Sequence, residues 1–384
     1  MKNKKTIAFW VILSSVLSCG ILEAKPQLQL QLPPAIYAVP GVEMNVYFDN
    51  IVMTPNPANY VFDVNCSKGR NEQKRWRFMP KESDVGTHTW GIDIISEEGI
   101  VASGKTKLIV SPANAGQGRN LSILIIGDSL TQALVYPSRI KSLLDKPGNP
   151  KVKLVGTVGW REVWHEGYGG WRWDIFMEKL TPSKVKPGTP PQVYHRASPF
   201  AFNGKIDIPA YFKKHNNGKA PDFITIQLGT NDVFTARDHN LDERIKQIFR
   251  NADRFISALR KAAPDAVIGV GLVPPAASSQ DAFGFSCQYT RWQYKKNQHK
   301  LNAEMIRKFA DYPDKKVFIV PGNINLDCEN YFPTVTEPIS AHEKHTRIVR
   351  QNNAVHPANC GYRQMGDSFY SWIKYQLSLQ DKKK

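Results

Sequence analysis

Four short stretches of this chain carry the residues that could do chemistry. They are Gly127-Asp128-Ser129-Leu130, "HEGYGGWRW" from His165 to Trp173, "LGTND" from Leu228 to Asp232, and "NNAVHPANCGY" from Asn352 to Tyr362. Ser129 stands where an apolar run, Ile123 to Ile126, breaks off at a glycine and an aspartate. A serine hydroxyl is a poor nucleophile until a neighbouring base takes its proton. His356 is the candidate base. The pair points to acyl transfer through a serine ester. No Gly-x-Ser-x-Gly elbow surrounds Ser129, which argues against the α/β-hydrolase arrangement.

The elements around these stretches must bring them together. Apolar runs at Ser122–Ile126, Val152–Val155, Phe223–Leu228, Val267–Val273 and Val317–Val320 predict strands buried on both faces. Between them lie helical patterns. Tyr136, Ile140, Leu143 and Leu144 mark one apolar face. Ile245, Ile248, Phe249, Ala252, Phe255, Ile256 and Leu259 mark another. Gln298–Ala310 and Arg363–Leu377 are further helix candidates. Strand and helix in alternation predict a three-layer α/β/α sandwich with a parallel sheet over residues 121–384. Ligands of such sheets sit beyond the carboxyl ends of the strands, where Ser129 would stand.

Residues 27–112 read differently. Short alternating stretches such as "MNVYFDN", "YVFDVNC" and "HTWGIDII" are separated by turn signals, which predicts a small all-β, immunoglobulin-like sandwich domain. Residues 113–120, within "PANAGQGRN", have the small polar composition of a flexible linker. Lys2, Lys4 and Lys5 precede an apolar segment from Ile7 to Leu17, then Ser18-Cys19-Gly20. This is the layout of a secretory signal peptide over residues 1–24, and the apolar run is too short for an ordinary membrane span. Val16-Leu17-Ser18-Cys19 also resembles a bacterial lipobox, which would anchor a lipid at Cys19; otherwise cleavage falls near Ala24. Either way the mature protein is expected outside the cytoplasm, secreted, periplasmic or at the cell surface.

With 41% hydrophobic and 22% charged residues, the chain is not disordered on a large scale. Its formal charge of +17 admits nucleic acid, an acidic polymer or a membrane surface as partner, or serves solubility alone. No Arg/Lys block has the regularity of a nucleic-acid module, so nucleic-acid binding is not expected. No CxxC or Cys/His zinc spacing occurs, and no metal or cofactor is implied. Cys66, Cys287, Cys328 and Cys360 allow three disulfide pairings, of which Cys328–Cys360 is preferred because both lie in the same late region.

The four stretches, in this order and each at its expected element edge, resemble the four blocks of the SGNH, or GDSL-type, hydrolases over roughly Leu121 to Leu379. "VKLVGTV" before the second stretch, and the tryptophan after its glycines, look most like carbohydrate esterases of family three and its relatives. The resemblance implies an oxyanion hole made by the backbone N–H of Ser129, the backbone N–H of Gly170 and the side-chain amide of Asn231. Gly170 rather than Gly169 takes the role because the family's functional glycine precedes the position held here by Trp171. The family usually has aspartate three residues before the histidine; here Asn353 occupies that place. Replacing the acid by its amide costs about 10⁴ in a serine protease. Three explanations are open: Asn353 accepts the Nδ1 proton through its carbonyl oxygen, a Ser-His dyad operates, or the enzyme is slow or inactive. Asp128 and Asp232 are read as structural.

Trp164 and Trp171, with Trp160 and Trp173, crowd the second block beside Arg161 and Arg172. Trp164 and Trp171 are candidate platforms for sugar faces, and Arg172 a candidate grip on carboxylate or sulfate. The Pro/Gly-rich insertion from Thr181 to Phe212 is expected to wall the site. The function these features predict is removal of O-acetyl groups from an acetylated, acidic polysaccharide. The alternatives are an SGNH lipase, lysophospholipase or thioesterase, and a non-catalytic glycan-binding protein.

Overall fold

Strands that are apolar at every position pair side by side and must be covered on both faces. In a computed structural model of the protein, which describes residues 28–184 and 195–382, they do so in one sheet. Numbering the strands of this sheet, β1 (Asn120–Gly127) is central. It is flanked on one side by β2 (Lys151–Val155) along its first half and by β3 (Val163–Gly167) at its end. On its other side follow β4 (Phe223–Gln227), β5 (Val267–Gly271) and β6 (Val317–Val320), every pair parallel. Val158–Trp160 adds an antiparallel edge outside β3.

Two helical layers close the sheet. On one face α1 (Val135–Leu144) and α4 (Asn359–Asp381) contribute Tyr136, Ile140, Phe369 and Trp372 to the core. On the other, α2 (Leu241–Ala262) and α3 (Arg291–Ala310) contribute Ile248, Phe255, Leu259, Leu301 and Met305. α2 carries Asp242 and Glu243 in its first turn and Arg260 and Lys261 in its last, which suits the helix dipole. The domain is therefore the three-layer α/β/α sandwich that the strand and helix patterns predict.

Two elements of the α/β domain depart from the sequence reading. β3 had no apolar signal, because it buries His165 and Glu166 among its five residues. α3 begins seven residues before Gln298, at Arg291, where Thr290 caps it through a side-chain bond from the Gln293 N–H. Its first turns bury Tyr294, Lys295 and Asn297, a mixture that hides helical periodicity.

The N-terminal region is a small all-β unit. Ala35–Ala38, Gly99–Val110, Gly86–Ser96 and Val61–Asn65 form one sheet, and Met44–Tyr47, Arg75–Phe78 and Arg70–Asn71 a second. Trp76, Trp90, Phe48, Phe62, Ile92 and Leu108 fill the space between. This core also takes in Ile324 of the α/β domain, and Tyr37, Val39 and Val42 join the α1/α4 layer in turn. Polar ties reinforce the joint. Asp49 accepts from Lys295 at 2.5 Å and pairs with Arg291, and Asn50 donates to the carbonyls of Asn323 and Leu326 at 3.0 and 2.8 Å.

The segment expected to be a loose linker is packed. Ala115 is buried, its carbonyl accepts from Lys374 Nζ at 2.5 Å, and Gly116 N–H donates to Asp381 at 2.7 Å. The expected Cys328–Cys360 bridge is absent: both thiols are free, as are Cys66 and Cys287. Cys328 is buried with its thiol toward Asn50, whereas Cys360 lies exposed in the first turn of α4. The expected signal peptide and lipobox, residues 1–24, lie outside the described residues. So do residues 185–194 of the insertion expected to wall the site. Its described remainder enters the core instead, through Phe200, Ile208, Tyr211 and Phe212.

Asp49→Ala leaves Lys295 and Arg291 without their partner at a mostly buried joint. It is expected to cost about 2–3 kcal/mol. Urea unfolding followed by tryptophan fluorescence checks this, and the shared cores require a single transition both before and after the change.

Candidate active site

β1 positions Ser129, the candidate nucleophile, by ending sharply. After Gly127, Asp128 caps a short helical turn, Ser129–Gln132, its Oδ1 accepting the Leu130 N–H at 2.9 Å. Gly127 is demanded by close approach, since a Cβ there would lie 1.9 Å from Thr131 Oγ1 and 2.8 Å from the Gln227 carbonyl oxygen. The Ser129 side chain thus projects at the carboxyl edge of the sheet. Its N–H, at the start of a helical turn, has no intrahelical carbonyl to bond.

The base comes from the loop before α4. His356 Nε2 lies 2.8 Å from Ser129 Oγ. On the other side of the ring, Nδ1 lies 3.2 Å from Asn353 Oδ1. That oxygen also accepts the His356 N–H at 3.0 Å and the Val355 N–H at 3.3 Å. Backbone N–H groups only donate, so the atom facing them is the amide oxygen. It follows that Nδ1 carries the ring proton and Nε2 is free to accept from Ser129. Of the three explanations open for Asn353, this geometry matches the first. Burial holds the His356 pKa below the usual imidazole value, and no charged neighbour offsets it.

The second stretch forms the opposite wall. β3 ends at Gly167 beside Gly127, and the Tyr168 N–H donates to the Gly127 carbonyl at 3.1 Å. Gly169 N–H is taken by Gln132 Oε1 at 2.5 Å, and Trp171 N–H by the Tyr168 carbonyl at 3.1 Å. Gly170, at φ +77° with open space around its Cα, is left in this run with an N–H that no described residue accepts. A left-handed φ favours glycine at this position. Asn231, in the turn Thr230–Val233 after β4, donates through Nδ2 to Asp128 Oδ2 at 3.2 Å and to the Trp171 carbonyl at 3.0 Å. The structure therefore brings Ser129, His356, Asn353 and Asn231 together with the Gly169–Gly170 loop. To hold an oxyanion, Asn231 must share one of the two hydrogens it now commits.

Buried carboxyls support these loops. Burial pushes Asp128 and Asp232 up to about 7. Asp232 receives the Trp173 N–H at 3.4 Å, tying the third stretch to the second. Two supporting residues were missed in the sequence reading. One is Gln132, which holds the Gly169 N–H. The other is Glu166, fully buried, which accepts from Tyr168 OH at 2.5 Å, Tyr211 OH at 2.6 Å and Thr157 Oγ1 at 2.8 Å. Glu166 lies inside a quoted stretch and Gln132 two residues beyond one, but only an acid in a buried strand would have signalled Glu166.

Trp171 is corrected. Only 2% exposed, its ring stacks on Tyr168 at 4.2 Å and meets Phe176 edge-on at 4.8 Å, so it is a core residue and offers no sugar platform. Trp173 is buried as well. Trp164 and Trp160 are 40% and 65% exposed, on the Val158–Gly167 hairpin. Trp164 stands three residues before Gly167, about 10 Å back along β3 from the catalytic edge. Arg172 is exposed and paired with Asp174 at 2.8 Å. His342 and His345 are exposed. No group of three His, Cys, Asp or Glu side chains placed to hold a metal ion occurs among the described residues.

A family model described as GDSL-like Lipase/Acylhydrolase matches residues 123–369. Among solved structures, a family 3 carbohydrate esterase from Clostridium thermocellum is similar at 18% identity. That match covers 68% of this chain and 100% of the other, with a TM-score of 0.40. A family two carbohydrate esterase from Clostridium thermocellum, in complex with cellohexaose, is 14% identical over 89% of this chain and 94% of its own, TM-score 0.36. A carbohydrate acetylesterase from Sinorhizobium meliloti is 14% identical over 67% and 99%, TM-score 0.37. No curated protein sequence matches the chain.

Two outcomes follow from the geometry. A low pKa keeps His356 neutral, hence able to act as base, to lower pH. Asn353→Asp places a carboxylate at Nδ1, so the acid limb of kcat/KM is expected to move to higher pH while kcat rises by about tenfold. A pH–rate profile of both proteins checks this. Asn231→Ala is expected to lower kcat by about 10²–10³, as loss of an oxyanion donor does, measured on an activated acetate ester.

Proposed function

Because the chain belongs to the GDSL-like lipase/acylhydrolase family, we propose that it is a serine esterase that removes O-acetyl groups from a polysaccharide outside the cytoplasm. The observation that carries the reading is the 2.8 Å approach of Ser129 Oγ to His356 Nε2, with Asn353 Oδ1 behind the ring. Ser129 Oγ attacks the ester carbonyl carbon as its proton passes to Nε2. The carbonyl π electrons become the oxyanion, held by the N–H groups of Ser129 and Gly170 and by the Asn231 amide. Collapse breaks the bond to the sugar oxygen, which leaves with the proton from His356. Water then attacks the acyl-serine, gives a proton to His356, and acetate departs as that proton returns to Ser129.

Asn353 orients the imidazole without charge. It cannot stabilise the transient imidazolium as a carboxylate would, so the turnover expected is modest. The carbohydrate substrate is supported by the resemblance of the second block to carbohydrate esterases and by the two exposed tryptophans beside it. The basic chain, at +17, favours an acidic glycan. The signal-like pattern of residues 1–24 supports export.

Acetate release from a panel of acetylated polysaccharides tests the reading. The expected result is release that Ser129→Ala lowers by about 10³-fold or more. Release that is independent of Ser129 would refute it, and preference for long acyl chains over acetyl would assign a lipase or thioesterase instead.

A further inference from the structure

The helical turn that carries Ser129 ends at Gln132, and the chain then passes through Leu134 at φ +67°, a left-handed conformation unusual for a non-glycine residue. This bend opens a groove of about 450 Å³, lined by Ala133, Leu134, Ser138, Arg139, Ser142 and Arg363. It lies between the start of α1 and the first turns of α4, and both lead out of the catalytic pair. Ala133 follows Ser129 by four residues, and Arg363 follows His356 by seven. At about 1.5 Å of rise per helical residue, Ala133 at the edge of the groove lies roughly 6 Å along the turn from Ser129.

Two arginines line the groove. Arg139 is fixed through Nε, which donates to Asp367 Oδ1 at 2.6 Å; that carboxylate is 11% exposed. Its two terminal nitrogens have no acceptor among the described residues. Arg363 is exposed and has neither a hydrogen bond nor an ion pair among the described residues. The serine hydroxyls turn inward, Ser138 to the Leu134 carbonyl at 2.7 Å and Ser142 to the Arg139 carbonyl at 2.9 Å. Arg139 shares its charge with Asp367, but Arg363 has no acid partner among the described residues, and no carboxylate lines the groove between them. A guanidinium fork does match the oxygens of a carboxylate or sulfate.

We propose that this groove is the subsite for an anionic sugar of the substrate, a uronate or sulfated residue next to the one that bears the acyl group. The inference rests on the glycan-esterase reading above and names the substrate class of that same site.

Binding tests it without turnover. Calorimetry on Ser129→Ala compares unacetylated oligogalacturonate, a sulfated oligosaccharide and neutral xylo-oligosaccharide, with and without Arg363→Gln. At least one anionic ligand is expected to bind more tightly than the neutral one. Its affinity should fall as salt rises. Arg363→Gln should weaken it roughly five- to tenfold, and Arg363→Lys less. Equal affinity for neutral and anionic sugars, or no loss with Arg363→Gln, overturns the subsite. So would binding of glycerophosphate together with indifference to both glycans. In turnover, Arg363→Gln should lower by the same factor the ratio of kcat/KM on an acetylated anionic glycan to that on 4-nitrophenyl acetate; an unchanged ratio counts against the subsite. Failure of the esterase reading shows separately, as anionic binding with no Ser129-dependent release from any ester.

Discussion

A single buried carboxyl sets the geometry of the catalytic edge. Asp128 is fully buried with no cation beside it, so its oxygens must be met by fixed donors. One takes the Leu130 N–H and thereby starts the turn that presents Ser129; the other takes the Asn231 amide and thereby fixes the loop after β4. Asn231 in turn grips the Trp171 carbonyl, so three segments distant in sequence are tied through one amide. A burial cost of this kind is borne only where rigidity serves something, and here it aligns a nucleophile with the donors that face it.

The rest of the site repeats the same economy of charge. Asp232 and Glu166 are buried acids pushed toward neutral pH and held by N–H or O–H donors rather than cations. Asn353 continues the pattern at the histidine. Its oxygen is already committed to two backbone N–H groups, which makes it a rigid acceptor whose position does not depend on charge. The site keeps the directional part of a catalytic triad and gives up part of its electrostatic part. Cationic charge appears only at the rim, where water screens it.

The candidate site residues were legible because each sits where an element ends. A glycine, a small polar residue and a sudden stop in an apolar run are local signals, and Ser129, Gly170, Asn231 and His356 all carry them. Strands β1, β4, β5 and β6 were legible for a related reason: burial on both faces leaves the run mostly apolar. β3 was not, since Glu166 satisfies its charge with Tyr168, Tyr211 and Thr157, two of them distant partners that no local pattern announces. Trp171 was misjudged because an indole beside a catalytic loop reads the same whether it faces sugar or Tyr168. The linker was misjudged because Ala115 and Gly116 are held by Lys374 and Asp381, more than 250 residues away.

The joint between the two units bears on how such a chain is made. The core of the β unit waits for Ile324, and Tyr37 on its first sheet stacks against Tyr375 of α4 at 4.9 Å. α4 is the last described element, and the base His356 stands just before it. A chain that emerges amino end first therefore holds its early strands with an uncovered face until α4 has been delivered. Assembly of the catalytic pair coincides with the closing of that joint, so an incompletely delivered chain has neither a finished core nor a working nucleophile.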